Sequence, residues 1–571
     1  DRDRPQRRTR PRRIVPLVVP RPISPEAARA YRAEGWWLDL TVPDLLRRQA
    51  ADRPDAPAVI AGDRTLTFAE LDRESDRVAA GLAALGVGRG EVVSCQLSNI
   101  PDLLVLHHAV AKRRAVFNPI HLPYRAAELE TILAFAGSRM MVVGAPHRGF
   151  SFVEMVLSLR DRLPALRHVV TAGGEERPGV IPFDELRGGG APAGARPHPD
   201  DPFLLLFTSG TTASPKAALH THNMRVGNAR FSAGELGFTA ADRIVCIARF
   251  SHMWGMFAYW MSLWPGAAQV LLETFTPQAF LEATTGGRAT VAIGAPAHAA
   301  ALLDGPGVRA AGRSSLRLFG LSGSVCPPAL ARALRETLGC TPFMLWGMTE
   351  TAAGLYTRPD DPPEIIEQTV GRASPGCAFA VVDEGGRALP PGAEGELAMR
   401  SPFAFEGYVN NPGATAECFT ADGWFRTGDL ATLDAAGHVR ILGRRTEQIN
   451  RGGVKFHPAD VEDVLLRHPR VQMVAVVGMP DARLGERSCC FVVPRPGPAP
   501  TLADLTAVLA DAGVAKFKWP ERLEVVETLP LTPTGKVQRP ILCERIRNQI
   551  GAEAAVLSQS KGRARQEEGR S

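Results

Sequence analysis

Five consecutive apolar residues, Phe203-Leu204-Leu205-Leu206-Phe207, run without a spacer into the nine-residue polar stretch Thr208-Ser209-Gly210-Thr211-Thr212-Ala213-Ser214-Pro215-Lys216. An unbroken apolar run of this kind has no wet face, so it reads as a strand buried on both sides. Such a strand needs a sheet covered by helices, and the flanking sequence supplies both. Leu71, Val78, Leu82 and Leu85 fall at helical spacing within residues 68–85. Residues 91–97 read as a strand, 103–111 as a helix, and 140–143 and 168–171 as short buried strands. This alternation predicts an α/β fold with parallel sheets. Residues 187–201, rich in Gly and Pro, read as a linker, and a second α/β layer runs from Phe203 past residue 350.

After Gly376 the texture changes. Strands at 378–382 and 395–399 alternate with Gly-containing turns, which predicts a small β-rich subdomain. Beyond a polar segment near Arg444, a helix at Val461, Val464 and Leu465, a strand at 471–477 and a helix at 502–509 predict an α+β domain. A chain of 571 residues exceeds one hydrophobic core. The expected organisation is a basic disordered arm over 1–35, a large N-terminal domain over 36–443 made of two αβ-layered subdomains and the β-rich one, a smaller α+β C-terminal domain over 444–548, and a polar tail over 549–571.

The formal charge of +6 is concentrated at the ends. Residues 1–14 carry +5 and residues 561–571 carry +2, which leaves the rest at about −1. The body thus has no nucleic-acid footprint. Five prolines among the first 22 residues argue against a transit helix, and no apolar run is long enough to span a membrane. The nine cysteines show no paired metal spacing and fit a reduced, cytoplasmic protein.

The hydroxyls, the small residues and the closing lysine of the 208–216 stretch suit a loop that wraps phosphate oxygens. It is not a Walker loop, because Pro215 precedes Lys216 and Ala217-Ala218-Leu219 follows where that pattern needs Gly-Lys-Ser/Thr and a helix. The stretch resembles the signature loop of the adenylate-forming superfamily, which includes acyl-CoA synthetases, aryl-acid–AMP ligases, peptide-synthetase adenylation domains and firefly-type luciferases. Ala213 and Ala217 stand where glycines are common in that family.

Further segments carry the resemblance, in order, over roughly residues 36–548. Ser322-Gly323-Ser324 looks like the adenine-side loop. Trp346-Gly347-Met348-Thr349-Glu350 resembles the aromatic-Gly-x-Thr-Glu motif, although an isolated Thr-Glu more often starts a helix. The resemblance implies an aromatic ring on adenine, Thr349 on a phosphate and Glu350 on Mg2+. Gly423-Trp424-Phe425-Arg426-Thr427-Gly428-Asp429 resembles the segment whose aspartate accepts both ribose hydroxyls. Residues 443–455 resemble the interdomain hinge and the loop after it. Arg444 would contact the nucleotide, and Arg451, Gly452 and Gly453 would line the thiol's path; Thr446 replaces the usual hinge Asp or Lys. Leu529-Pro530-Leu531-Thr532-Pro533-Thr534-Gly535-Lys536 resembles the catalytic-lysine motif. Catalytic roles are thereby implied for Lys536, Thr349, Glu350, Lys216 and His252, nucleotide contacts for Thr208, Ser209, Gly210, Thr211 and Thr212, and a mobile C-terminal domain.

The implied chemistry joins a carboxylic acid to ATP with Mg2+, then to a thiol of coenzyme A or of a carrier protein's phosphopantetheine. A homodimer is among the assemblies left open. The acid pocket is expected near His252, Met253 and Phe257. Residues 31–37, 448–453 and 485–489 resemble 2,3-dihydroxybenzoate–AMP ligases, yet Met253 stands where those enzymes share an Asn for the ring hydroxyl. An apolar medium-chain, alicyclic or aromatic acid is therefore expected, with a CoA ligase as the first reading, a carrier-loading AMP ligase as the second and a non-catalytic relative as the third.

Overall fold

The computed structural model describes residues 17–568, apart from 148, 175–176, 189–194, 209–215, 286–288, 306–307, 309–313, 453, 482 and 533–534, with the backbone alone from 554 to 568. The chain divides into two compact units, one of residues up to Phe379 with Met399–Phe425, the other of Ala380–Ala398 and the residues from Arg426 onward.

The first unit is built on two sheets. A seven-stranded sheet has the order Ile181–Pro182, His168–Ala172, Met140–Gly144, Val92–Gln96, Val116–Pro119, Pro202–Phe207, Ala217–Thr221. Every pair is parallel except the last. A nine-stranded sheet has a parallel centre that includes Arg243–Cys246, Val291–Gly294, Leu318–Leu321 and Thr341–Met348, and an antiparallel hairpin at each end. The strand Pro202–Phe207 is buried through Phe203, Leu204, Leu205 and Leu206, as its apolar run requires. The helices are local consequences of sequence. Phe68–Ala84 begins at Thr67, whose hydroxyl accepts from the Glu70 N–H while the Glu70 carboxylate accepts in return.

The second unit has a four-stranded sheet, Ala378–Val382, Glu394–Arg400, Phe425–Leu433 and Val439–Arg444, and a five-stranded sheet centred on Val471–Asp481 and Gly485–Pro494. Alternation along these central strands serves two cores. Val474, Val476, Cys490 and Val492 pack towards Val461, Leu465, Leu505 and Leu509, while Ala475, Val477, Cys489 and Phe491 pack towards Leu542 and Ile546. The adjacent cysteines Cys489 and Cys490 thus point to opposite faces, and burial pushes the Cys490 thiol up to about 12. The β-rich stretch, expected with the N-terminal domain, packs with the residues after Arg444; the Glu394 carboxylate meets His457 Nε2 at 2.8 Å.

The expectation of a disordered arm is corrected. Within 1–35, Pro25–Ala33 is a helix, with Ser24 capping it through the Ala27 N–H and proline in its first turn. Ahead of it, the Val18 N–H reaches Asn410 Oδ1 at 3.1 Å and the Ile23 N–H reaches Glu406 Oε1 at 3.0 Å. The expected polar tail is also helical, because Arg539–Glu568 runs unbroken through it. Its Ala, Glu, Gln, Lys and Arg content favours a helix even where no apolar stripe exists. No helix among the described residues is long and apolar enough to cross a membrane.

Candidate active site

The 208–216 loop closes a hairpin. Phe207 faces Ala217 and Leu206 faces Ala218 across antiparallel strands, and the Thr208 N–H donates to the Lys216 carbonyl at 2.9 Å. The loop returns as a strand, where a Walker loop leads into a helix. Ser209, Gly210, Thr211, Thr212 and Ala213 lie outside the described residues. The alanine at 217 is not a strained replacement of glycine. Its methyl is fully buried in a cluster with Leu205, Leu219 and Val409, and its carbonyl accepts from the Val409 N–H at 2.9 Å.

At the foot of the loop the ammonium of Lys216 lies 5.3 Å from the centroid of the Tyr408 ring. The Tyr408 hydroxyl donates to Glu350 Oε1 at 2.6 Å, and Glu350 is only 4 % exposed. Glu350 sits with Thr349 in the turn between Thr341–Met348 and Ala352–Tyr356, so this segment is a β-hairpin and not a helix start. Gly347 makes that hairpin possible. A Cβ there would stand 1.9 Å from the Ala352 carbonyl oxygen. Trp346 is buried, its ring edge-on to Phe379 at 5.6 Å.

Ser322 leaves the neighbouring parallel strand Leu318–Leu321, and its N–H donates to the Gly294 carbonyl at 3.2 Å. Gly323 then takes φ +100°, and Ser324 is exposed. Both segments follow the carboxyl ends of adjacent parallel strands, the place where open α/β sheets bind ligands.

His252 caps the helix Met253–Leu263, its Nδ1 accepting from the Trp254 N–H at 3.2 Å. Every residue of that helix is buried, Met253 and Phe257 among them, whereas His252 itself is half-buried. Its ring stacks on His121 at 6.2 Å. Burial, with Arg249 nearby, lowers His121 to about 4, and its Nδ1 lies 2.9 Å from Ser251 Oγ.

The remaining candidates belong to the second unit. Asp429 is 6 % exposed and lies opposite Arg444 across an antiparallel pair. Arg444 Nε meets Asp429 Oδ1 at 2.7 Å, and another guanidinium nitrogen donates to the Thr427 carbonyl at 3.0 Å. Thr446 is exposed in a single helical turn, Arg445–Glu447. Arg451 is paired with Glu521, and Gly452 takes φ +62° with its N–H on the Leu484 carbonyl at 2.8 Å. Gly453 lies outside the described residues. Lys536 stands on a tight loop closed by a bridge between Leu531 and Val537. Its N–H donates to Thr532 Oγ1 at 3.0 Å and its carbonyl accepts from the Thr532 N–H at 2.7 Å.

The structure brings Lys216 and Glu350 together through Tyr408, and joins Asp429 to Arg444. Tyr408 is the residue that sequence reasoning missed, because nothing in the stretch Glu406-Gly407-Tyr408-Val409 singles it out.

Residues 46–409 match the AMP-binding enzyme model and residues 460–536 the AMP-binding enzyme C-terminal domain, so the chain belongs to the AMP-binding enzyme family. It is 32% identical over 530 residues to a medium-chain fatty-acid–CoA ligase of Escherichia coli (strain K12), covering 91% of this chain and 93% of that one. Similarity to a 2,3-dihydroxybenzoate-AMP ligase of Bacillus subtilis (strain 168) is equal, 32% over 530 residues, covering 92% and 97%. Among solved structures, an anthranilate CoA ligase in complex with anthranoyl-AMP superposes with a TM-score of 0.83 at 27% identity, covering 90% of this chain and 98% of the other.

Proposed function

We propose that this chain is an ATP-dependent carboxylic acid–CoA ligase for an apolar medium-chain, alicyclic or aromatic acid. The acid reacts with ATP to give acyl-AMP and pyrophosphate, and the thiol of CoA then takes the acyl group and releases AMP. The observation that carries the reading is Tyr408 at the foot of the loop, its ring against the Lys216 ammonium and its hydroxyl on the buried Glu350 carboxylate.

Two anions must meet in the first step, so neutralising charge is the main task. Lys216 and the loop donors hold the β- and γ-phosphates. Glu350 fits Mg2+, which takes one or two carboxylates and completes its shell with phosphate oxygens and water; among the described residues no cage of three or more ligating side chains occurs. When bound, the ion neutralises charge on the phosphate oxygens. Asp429 accepts the ribose hydroxyls, with Arg444 beside it. Lys536 bridges the attacking carboxylate and the α-phosphate as charge builds, and no general base is needed because the acid, with a pKa of about 4, is already ionised. The part over 444–548 turns at 444–446 to exchange Lys536 for Gly452 and Gly453.

For the acid, His252 gates a pocket whose inner wall is the apolar helix starting at Met253. A methionine there offers no hydrogen bond to a ring hydroxyl, which supports an apolar acid. Pyrophosphate exchange over a panel of acids tests catalysis, and absence of acid-dependent exchange overturns the reading. AMP release with CoA supports the ligase proposed. AMP release with a phosphopantetheinylated carrier protein and none with CoA moves the assignment to a carrier-loading AMP ligase, the second reading, which the similarity to the dihydroxybenzoate enzyme favours.

A further inference from the structure

Lys216 and Glu350 carry opposite charges at one site, yet among the described residues no ion pair joins them. Burial raises the Cys418 thiol to about 12, with Glu350 raising it further and Lys216 lowering it, so both charges reach the same neighbourhood. Tyr408 stands between their demands. Its hydroxyl donates to Glu350 Oε1 at 2.6 Å, and its ring takes the Lys216 ammonium at 5.3 Å.

The ring is fixed from every side. Tyr408 is 6 % exposed, bridges to Ala218 just after the loop, and its N–H donates to Thr415 Oγ1 at 2.9 Å. Phe405 packs edge-on against it at 4.9 Å, and the Phe405 N–H holds the Glu350 carbonyl at 2.8 Å. A direct Lys216–Glu350 pair would satisfy each charge with the other and leave neither for ligand.

We infer that Tyr408 is a positioning residue that keeps Glu350 and Lys216 apart, occupying one carboxylate oxygen of the residue that would hold Mg2+ and steadying the ammonium by its ring face. This rests on the reading of Glu350 as the Mg2+ ligand. The two halves of the side chain therefore do separable work. The hydroxyl sets metal affinity, and the ring sets how Lys216 meets phosphate.

The test is a pair of variants, with ATP binding followed by tryptophan fluorescence and by pyrophosphate exchange, each titrated with Mg2+. Tyr408→Phe keeps shape and ring. It is expected to raise the Mg2+ concentration for half-saturation about 10-fold, the usual cost of removing a partner of a metal ligand. ATP KM at saturating Mg2+ stays within about twofold. Tyr408→Leu, which also removes the ring, is expected to raise both. Glu350→Gln is the control. If it raises the Mg2+ requirement while Tyr408→Phe leaves it unchanged, the inference on Tyr408 falls and the metal reading stands. If Glu350→Gln leaves the Mg2+ dependence unchanged, the metal reading falls first. Equal rises in ATP KM for the Phe and Leu variants assign Tyr408 to packing alone and also overturn the proposal.

Discussion

The two units handle opposite charges in opposite ways. In the first, Glu350 and Lys216 each meet one tyrosine, and no ion pair joins them among the described residues. In the second, Asp429 and Arg444 meet directly at 2.7 Å. A separated pair is ready for a ligand that brings its own charges, the electrostatic preorganisation that limits reorganisation during reaction. In the proposed function, a joined pair must share or exchange a partner when the nucleotide arrives. Under the same proposal, the first unit is a standing phosphate and metal site, and the second is a set of groups whose engagement has to be switched.

The largest effect tests that division of labour. Lys536→Ala is expected to slow adenylation about 10²–10³-fold, the usual cost of a positioned charge donor, while thioester formation from preformed acyl-AMP continues. Binding of ATP with Mg2+, which the proposed function assigns to Lys216, Glu350 and Asp429, should persist. Equal loss of both half-reactions, measured by pyrophosphate exchange and by CoA consumption, breaks the assignment of Lys536.

Asp429→Asn sharpens the other side. A carboxylate accepting two hydroxyls loses charge-assisted bonds when it becomes an amide, and a rise in ATP KM of about 10-fold is expected. The wild-type protein should discriminate against 2′-deoxy-ATP and 3′-deoxy-ATP, and the variant should largely lose that preference. Discrimination that survives in the variant removes Asp429 from the ribose.

A change of similar size is expected within the first unit. Met253→Asn should move relative kcat/KM towards hydroxybenzoates by about 10-fold. Met253 is 3 % exposed, so the new amide is costly unless a ligand hydroxyl meets it. Stabilisation by salicylate in the variant, without any in the wild type, checks this through melting temperature. Its absence takes Met253 out of the pocket.

Much of the fold was legible. The apolar run at 203–207 is a buried strand and the helix predicted over 68–85 is Phe68–Ala84, because burial pattern and capping residues act locally. The 208–216 loop was distinguishable from a Walker loop because Ala217-Ala218-Leu219 lacks a helix start, and it is a strand. What sequence could not give came from distant pairings. Tyr408 joins Lys216 and Glu350 across separations of 192 and 58 residues. The turn at Thr349-Glu350 depends on Gly347 lying against Ala352. The helix Pro25–Ala33 was hidden by an arginine-rich composition that spoke of charge and not of capping by Ser24.

The smallest predicted effect concerns stability against pH, where two sets of buried groups, one in each unit, differ in sign. In the first unit burial lowers His107 and His222 to about 3 and His121 and His298 to about 4, all from 6.5. Their unfolded forms bind protons first, so the stability they lend is complete above about pH 6.5 and is lost as pH falls towards 4. In the second unit Asp463 is raised from 3.8 to about 6 by burial and by Glu462 beside it. There the folded state holds the proton more tightly, so that group adds stability as pH falls through 6. Acidification from pH 7 to 4.5 should therefore loosen the first unit before the second. Hydrogen exchange, corrected for the intrinsic rate, is expected to show peptides around His107, His121 and His222 losing protection while those around Asp463 keep theirs. Asp463→Asn should raise protection of the second unit at pH 7 and leave it unchanged near pH 4, because the cost removed is that of the ionised carboxylate. Loss of protection first around Asp463 would show that the carboxylate, and not the buried imidazoles, governs the acid response.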